Sequence, residues 1–379
     1  MEKKNFVQDA MQEVESLLKN AFAAAMQQGK LPENELPAFT VEIPAETTHG
    51  DFASNAAMVS ARTFRMAPVK IANILAECID CASARYIDRV EIAGPGFINF
   101  FVSDAWFASI VSGVLEAGEE YGRSDIGKGE KVMVEFVSAN PTGPMHMGNA
   151  RGGAIGDCLA AALGACGYDV TREFYINDAG NQIEKFGLSL EARYLQIYKG
   201  EEAVPFPEDG YHGEDIKERA QQYADEHGDC LLNLSEQERR QALVDFALPK
   251  NIEKLRTDLE KYRITYDVWF PESTLHQSGA VKAVVDELTS RGMTYEKDGA
   301  IWYKATEFGG EKDEVLVRAN GNPTYFTADI AYHKNKFVDR HFERVINVWG
   351  ADHHGHVARL KGAMDAIGLD GSKLDIVLM

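Results

Sequence analysis

The feature that most constrains this sequence is a strand–loop–helix–strand pattern near its middle. Val132–Val137 is a compact, mostly apolar run, and a loop segment that contains proline and glycine follows it at 138–144. A helical pattern covers 149–166, and Asp169–Ile176 follows as a second strand. A β-α-β unit of this kind predicts a parallel sheet whose ligand site lies at the carboxyl ends of the strands. We therefore expect an α/β fold with a Rossmann-like nucleotide-binding domain.

The part of the chain before this unit has a different pattern of predicted helices and strands. Residues 5–28 repeat apolar side chains at three- and four-residue spacing, which predicts an amphipathic helix. Residues 86–92 and 97–102 read as paired strands around a Gly-Pro-Gly turn. We predict a small α+β N-terminal domain over 1–122 and the α/β domain over 123–379.

The α/β domain is interrupted. Residues 201–299 are charged and helical with little strand pattern, so we predict an insertion within the nucleotide-binding fold. Strand-like runs resume at 315–318 and 324–327, and further strands are predicted at 344–349 and 374–379.

Charge and cysteine content limit the class of protein. The net charge is −20, from 39 basic and 59 acidic residues, which counts against a generic DNA-coating protein but not against a local basic patch. The 5 cysteines are an odd number in a long chain, which is typical of a reducing compartment. No apolar run approaches the ~18 residues that a membrane span needs. We predict a cytoplasmic location and no membrane contact.

The loop after the first strand of the β-α-β unit carries an anion-binding pattern. His146 and Asn149 are three residues apart at a predicted helix start, so both can donate to phosphate oxygens on the same side. Gly148 allows close approach of a ligand to the backbone. The alternative is a histidine that caps a helix in an ordinary loop.

Several segments resemble one family. Val134–Arg151 resembles the HIGH region of arginyl-tRNA synthetases, a class I family, with Asn149 where the motif ends in histidine. Three later segments are similar to that family's other motifs, in the same order: Tyr175–Gln182, Tyr325–Asp329 and Trp349–His356. The stretch His49–Ala53 is similar to the family's additional N-terminal domain.

The resemblance implies ligation of arginine to its tRNA through an arginyl-adenylate, with ATP, Mg²⁺ carried by ATP, and no metal bound by the protein. It also implies that His146 and Asn149 are catalytic residues. The implied ATP contacts are His146, Gly148, Asn149, Gly350, Asp352 and His356. The implied arginine contacts are Glu135, Asn140, Gln182, Tyr325, Asp329 and His353. The N-terminal domain is expected to touch the elbow of tRNA(Arg), and the enzyme is expected to be a monomer.

One departure from the family pattern affects activity. No lysine loop of the KMSKS type occurs in the sequence. We expect a piece of a longer protein that ends before this loop and before the helical anticodon-binding domain, and that is inactive alone. Two other functions stay open: a small nucleotidylyltransferase with a similar loop, or a tRNA-binding paralogue that has lost catalysis.

Simpler interpretations also exist for single residues. Tyr325 could be an ordinary strand aromatic, and Asp329 a helix cap. The crowded histidines His353, His354 and His356, with Asp352, could form a metal site.

Overall fold

The computed structural model describes residues 5–379, apart from the side chain of Asp352, and the chain divides after Arg123 into two compact units. The first unit contains an antiparallel sheet with strand order β1-β2-β4-β3. Its elements are α1 (Phe6–Gln27), β1 (Val41–Glu42), β2 (Phe52–Ser54), α2 (Ala56–Phe64), α3 (Pro68–Cys78), β3 (Ile87–Ala93), β4 (Phe97–Val102) and α4 (Asp104–Ala117).

The predicted amphipathic helix and strand pair of the first unit are confirmed. The side chain of Asn5 accepts a hydrogen bond from the backbone of Gln8, so an asparagine cap begins α1. The apolar face of α1, including Leu18 and Phe22, lies in the core of this unit. At the turn between β3 and β4, Gly96 has a φ of 127°, and a Cβ there would lie 2.8 Å from Pro68.

The second unit contains the longer alternation of strands and helices. Its elements are β5 (Lys131–Glu135), α5 (Met147–Ala165), β6 (Asp169–Ile176), α6 (Asn181–Lys199), α7 (Glu214–His227), α8 (Glu236–Lys261), β7 (Val268–Pro271), α9 (Ser273–Gln277), α10 (Ala280–Ser290), β8 (Thr294–Lys297), β9 (Ala300–Tyr303), β10 (Glu314–Val317), α11 (Tyr325–Lys334), β11 (Arg344–Trp349), α12 (His354–Ala366) and β12 (Leu374–Leu378). Over the described residues, no helix has the length and apolar character to cross a bilayer.

A parallel sheet organises this unit and confirms the predicted β-α-β pattern. The strand order is β12-β11-β5-β6-β7, and all neighbours are parallel. Helix α5 lies close against the sheet because it presents glycine to it: a Cβ at Gly156 would lie 2.1 Å from the ring of Phe136. The register aligns Glu135 with Glu173 on β6 and with Asn347 on β11. Three polar side chains therefore sit side by side near the ends of apolar strands.

The predicted bounds of the insertion need correction. Helices α6, α7 and α8 do pack around a core of their own. Strand β7, however, lies inside the predicted range 201–299 and pairs with β6 in the parallel sheet, while β8, β9 and β10 form a separate antiparallel sheet. The pairing between β6 and β7 joins residues almost a hundred positions apart, which no local pattern can show.

The strand predicted at 324–327 is wrong. Thr324 is extended with φ −90° and ψ 165°, and α11 begins at the next residue, Tyr325. The hydroxyl of Thr327 donates to the backbone oxygen of Leu316 at 2.7 Å, which fixes the start of the helix against β10. A four-residue run of aromatic and β-branched residues favours a strand by propensity, and this tertiary contact outweighs that preference.

Candidate functional site

A cleft with two lobes opens at the carboxyl ends of β5, β6 and β11. The first lobe has a volume of about 770 Å³ and the adjoining second lobe about 480 Å³. Both lobes are lined by His146, Asn149 and Trp349. The cleft therefore lies where the β-α-β pattern predicted a ligand site.

Most of the predicted site residues line this cleft. The first lobe includes Glu135, Asn140, His146, Asn149, Tyr325, Asp329, His353 and His356. The second lobe includes His146, Gly148, Asn149, Gly350 and His353. Gln182 lines neither lobe: its amide donates to the backbone oxygen of Asn177 at 3.3 Å, and Asn177 lines the first lobe instead. The side chain of Asp352 lies outside the described part of the structure.

A reciprocal cap begins α5, where the two lobes meet. The backbone N–H of Gly148 donates to His146 Nδ1 at 3.1 Å, and the backbone N–H of His146 donates to Asn149 Oδ1 at 3.0 Å. Because Nδ1 is an acceptor, the neutral imidazole carries its proton on Nε2, and Asn149 keeps its Nδ2 group as a donor. His146 and Asn149 therefore do cap the helix. The same bonds hold their Nε2 and Nδ2 donors at the helix N-terminus, where the helix dipole favours an anion.

Gly148 is needed here for space. Its φ lies outside the left-handed region, so its backbone conformation is open to other residues. A Cβ at this position would lie 3.0 Å from Cε1 and 3.1 Å from Nδ1 of the His146 ring. Any side chain at Gly148 would therefore push the capping imidazole away from its position.

The backbone that leaves β5 is strained. Val137 has a φ of 68° and Ser138 a φ of 41°, both in the left-handed region. Such conformations cost on the order of 1–3 kcal/mol each and tend to occur at functional sites. Ser138 Oγ donates to Glu135 Oε1 at 3.0 Å and accepts from the backbone N–H of Tyr175 at 3.1 Å. These bonds hold the strained turn and so direct the loop that carries His146.

A buried ion pair lies beneath the first lobe. Lys336 is fully buried, and its Nζ donates to Glu135 Oε2 at 2.6 Å and to Asn347 Oδ1 at 3.2 Å. Lys336 belongs to a π-helical turn, Asn335–Asp339, that directly follows α11. Protein partners therefore take both carboxylate oxygens of Glu135, one by Lys336 and one by Ser138.

The same chain of bonds continues to α11. Asn347 Nδ2 lies 3.0 Å from His333 Nε2, and His333 Nδ1 lies 2.8 Å from the backbone oxygen of Asp329. Since the Oδ1 of Asn347 accepts from Lys336, its Nδ2 donates, so His333 carries its proton on Nδ1. Burial is the main cause that lowers the pKa of His333 well below its ordinary value, with the charge of Lys336 next. His333 is therefore a neutral link at physiological pH.

A second buried acid lies beside Glu135. Glu173 accepts from both terminal nitrogens of Arg340, at 2.9 and 2.5 Å, and from the hydroxyl of Tyr332 at 2.5 Å. Burial, followed by the charges of Glu135 and Glu173, raises the pKa of Tyr332, so this phenol remains a donor. We call Glu135, Glu173, Lys336 and Arg340 the buried charge cluster.

Asp329 and Tyr325 face the first lobe from the start of α11. Residues four apart on a helix share a face, and both side chains line the lobe. Tyr325 is 62% exposed, and its hydroxyl accepts from Arg359 at 2.9 Å. Asp329 Oδ2 lies 2.9 Å from His356 Nε2, so the partner of this carboxylate is a histidine rather than a lysine or an arginine.

Sequence reasoning missed a second carboxylate in the lobe, Glu272. It follows β7 directly, lines the first lobe and is 8% exposed. Its side-chain neighbour is His276, whose Nε2 lies 3.3 Å from Oε1. Burial raises the pKa of Glu272, although His276 and Tyr175 oppose that shift. The acidic residue directly after the apolar run Val268–Pro271 is a usable signal, but this run lies within the range predicted as a helical insertion. We call Asp329 and Glu272 the cleft carboxylates.

The metal-site alternative includes Asp352, whose side chain lies outside the described part of the structure. Over the part of the chain that the structure describes, no three histidine, cysteine or acidic side chains are grouped as metal ligands would be. His356 instead lies between Asp329 and Arg359.

The sheet and the cleft together define a class of protein. A parallel β-α-β sheet with a helix N-terminus and two polar donors at its carboxyl edge is a Rossmann-like nucleotide-binding domain. Family models identify it further: tRNA synthetases class I (R), catalytic domain, matches residues 110–376, and the arginyl tRNA synthetase N terminal domain matches residues 12–102. The chain belongs to the class I arginyl-tRNA synthetase family, which confirms the resemblance and the predicted fold class.

Individual relatives agree with this assignment. The chain is 57% identical to the arginine–tRNA ligase of Acetivibrio thermocellus over 374 residues, which is 99% of this chain and 66% of that protein. It is 57% identical to the arginine–tRNA ligase of Caldanaerobacter subterraneus over 375 residues, again 99% of this chain and 66% of that protein. The chain thus spans 66% of the length of these curated relatives.

A solved structure shows the fold. The arginyl-tRNA synthetase of Thermus thermophilus superimposes with a TM-score of 0.58 at 20% sequence identity, covering 95% of this chain and 64% of that chain. Membership of the family removes the alternative of a small nucleotidylyltransferase. The alternative of a tRNA-binding paralogue that has lost catalysis stays a prediction.

Proposed function

We propose that this chain carries the site at which an arginine–tRNA ligase forms arginyl-adenylate from arginine and ATP, before transfer of the arginyl group to tRNA. The observation that supports this most is the pairing of the two lobes. The cleft carboxylates lie in the first lobe, and the donors of His146 and Asn149 lie where it meets the second. A cationic amino acid and a polyphosphate can therefore meet at one point.

The first lobe suits a guanidinium. A guanidinium is a planar group of five N–H donors that pairs with carboxylates and stacks on aromatic rings. Asp329, Glu272 and the exposed ring of Tyr325 provide these partners in one cavity. We place the substrate's side chain against these three groups and its α-amino end toward Asn140 and His353.

The resemblance implies that Glu135 contacts arginine directly, but its hydrogen bonds favour another role. Both of its oxygens are bonded within the protein, and the residue is 7% exposed. These bonds favour a positioning role through Ser138, which holds the strained turn after β5. A direct contact with the substrate's α-amino group stays a prediction.

The second lobe suits ATP. The carboxylate of arginine is already ionised, so its attack on the α-phosphate needs no general base. Catalysis then depends on alignment and on stabilising charge at the phosphates. His146 Nε2 and Asn149 Nδ2 would donate to phosphate oxygens, with Mg²⁺ arriving on ATP as part of the substrate. Gly350 lines the lobe and would allow the nucleotide close approach to the end of β11.

The first unit is proposed to contact tRNA. The support is the match of residues 12–102 to the arginyl tRNA synthetase N terminal domain. The predicted domain bounds of 1–122 and 123–379, the contact with the tRNA elbow, the monomeric state and the cytoplasmic location stay predictions.

Calorimetric titration of this chain with arginine tests the proposal, with lysine and citrulline as controls. We expect binding of arginine and loss of about 1.5–3 kcal/mol, or roughly ten- to a hundredfold in affinity, in Asp329→Asn. Asp286→Asn is a matched control, because Asp286 pairs on the surface with Lys282 and is 62% exposed. Equal binding of citrulline and arginine, or equal loss in both variants, would contradict the proposed pocket.

A further inference from the structure

The hydrogen bonds behind Asp329 lead away from the cleft to a single guanidinium. His356 Nε2 lies 2.9 Å from Asp329 Oδ2, and Arg359 Nε donates to His356 Nδ1 at 2.7 Å. Arg359 Nη1 donates to Glu314 Oε1 at 2.8 Å, and Nη2 donates to the Tyr325 hydroxyl at 2.9 Å. Each of the three nitrogens of Arg359 is therefore bonded to a different protein group.

This geometry determines the tautomer of His356. The N–H groups of a guanidinium only donate, and they keep their protons at all ordinary pH values. Nδ1 of His356 is therefore an unprotonated acceptor, and the ring proton lies on Nε2, directed at Asp329. A second proton on Nδ1 would have to displace a hydrogen bond from a cation 2.7 Å away.

The state of His356 sets the charge that the cleft presents. A neutral ring that donates from Nε2 leaves Asp329 with its full negative charge. An imidazolium would cancel that charge through the same hydrogen bond. Glu314 accepts from Arg359, so the charge of Arg359 has its own counter-ion on β10 and is not left for Asp329.

We propose that Arg359 is a positioning residue that keeps His356 neutral in the Nε2–H tautomer, so that Asp329 keeps its negative charge for a cationic substrate. The inference rests on the proposed function in one respect, that the guanidinium of arginine is the group that Asp329 receives. The tautomer itself rests on the hydrogen bonds alone.

The charged groups around His356 include some that favour its protonated form, and Arg359 acts against these. Asp329 on α11 directly favours the imidazolium, and Glu314 on β10 does so at longer range. Arg359 disfavours it, and His333 on α11 is close enough that His356 contributes to lowering the pKa of His333. The aromatic neighbours are Tyr325, Phe326 and Trp349, with ring centroids 5.9, 5.7 and 5.4 Å from the imidazole. Without Arg359, the nearest charge would be the carboxylate of Asp329.

Arg359→Met tests this arrangement, since it keeps an unbranched stem and removes the cation. Without the guanidinium, Nδ1 of His356 has no cation donating to it, so the ring could take up a proton there beside Asp329. The affinity of this variant for arginine should therefore fall between pH 8 and pH 6, relative to the wild type. Calorimetry at both pH values measures this loss.

Two further variants separate this role from a merely structural one. Arg359→Lys retains a cation beside Nδ1 and should follow the wild-type pH profile more closely than Arg359→Met. The double variant Arg359→Met with His356→Gln has no titrating ring, so its profile should run parallel to that of the wild type. A pH-dependent loss that persists in the double variant would overturn the proposal.

The ring ¹⁵N spectrum of the histidines gives a readout that needs no ligand. Wild-type His356 should show the neutral Nε2–H tautomer from pH 8 to pH 6, and the Arg359→Met variant should titrate in this range. A wild-type His356 that takes up a second proton within this range overturns the proposal, whether or not arginine binds. Failure of the wild type to bind arginine at pH 8 contradicts the proposed function instead, and the ring spectrum still decides the tautomer.

Discussion

The buried charge cluster and the cleft carboxylates occupy neighbouring parts of the same unit but differ in how their charges are matched. Glu135 has a lysine partner and Glu173 an arginine partner, and both acids are buried. Asp329 and Glu272 have histidine partners and line the open first lobe. A carboxylate already paired with a permanent cation is held within the fold, whereas one beside a histidine at an open cleft is placed to meet a ligand. The difference predicts which substitutions affect stability and which affect binding.

Helix α11 and the turn that follows it connect the two groups. Asp329 faces the cleft, His333 bonds to Asn347, and Lys336 in the π-helical turn reaches Glu135. The spacing of four and then three residues places all three near one face of the helix. The position of the cleft carboxylate therefore depends on the buried cluster beneath it.

The largest effect is expected from Lys336→Met, which leaves the charge of Glu135 buried without its cation. The free energy of unfolding should fall by about 3–5 kcal/mol, the usual cost of breaking a buried pair from one side. Urea denaturation of the chain measures this change. The double variant of Lys336→Met with Glu135→Leu should recover much of the lost stability, since neither charge then remains buried. A single variant as stable as the wild type would mean that Glu135 is not dependent on Lys336.

The next largest effect distinguishes the cleft carboxylates from the buried charge cluster, by comparing one acid from each. Glu272→Gln should weaken arginine binding by about 1.5–3 kcal/mol, because a charge-assisted contact is lost, with little change in stability. Glu135→Gln should instead destabilise the fold, because it leaves Lys336 without a carboxylate. Calorimetry and urea denaturation on both variants compare the two losses. If the two variants behave alike, the distinction between the groups is wrong.

The pH dependence of stability comes next. The folded-state pKa of His333 lies well below its ordinary value, so below about pH 6.5 the unfolded chain binds a proton that the folded chain does not. Its contribution to stability is therefore lost as pH falls, by up to about 1.4 kcal/mol per pH unit. His333→Gln should flatten this part of the acid branch, while His354→Gln, on an exposed residue, should leave it unchanged. Denaturation midpoints from pH 7 to pH 5 provide the comparison, and equal slopes for all three proteins would contradict it.

The smallest effect concerns the cap of α5. His146→Ala removes an N-cap acceptor and should cost about 1 kcal/mol of stability. His146→Asn keeps a good capping side chain and should cost less, although both variants lose the Nε2 donor. Both should therefore weaken ATP binding to a similar degree, as measured by titration with the nucleotide. ATP affinity that follows helix stability instead would mean that His146 acts only as a cap.

Local sequence pattern was sufficient for much of the fold. The β-α-β unit was predicted from an apolar strand, a glycine-containing loop and a helical repeat, because these signals lie within one continuous stretch. The same pattern predicted His146 and Asn149 at a helix start, and both line the cleft. Motif resemblance added Asn140, Tyr325, Asp329, His353 and His356, all of which line the first lobe.

What the sequence could not show involves partners far apart in the chain. Strand β7 and Glu272 were missed because they join β6 across a long helical insert, and Gln182 was misplaced because its amide turns to a neighbouring carbonyl. Lys336, His333 and Arg359 carry no motif, and their roles follow from contacts with Glu135, Asn347 and His356.

The sequence by itself determined the class of fold, the helix start that lines the cleft and the family, because periodicity and contiguous motifs express these locally. The tertiary structure alone decided which charges are matched and which remain for a ligand. That decision depends on burial and on the pairing of residues up to 201 positions apart, as in the bond from Lys336 to Glu135. The sequence gives the position of each carboxylate, but its role depends on whether folding places a lysine, an arginine or a histidine beside it.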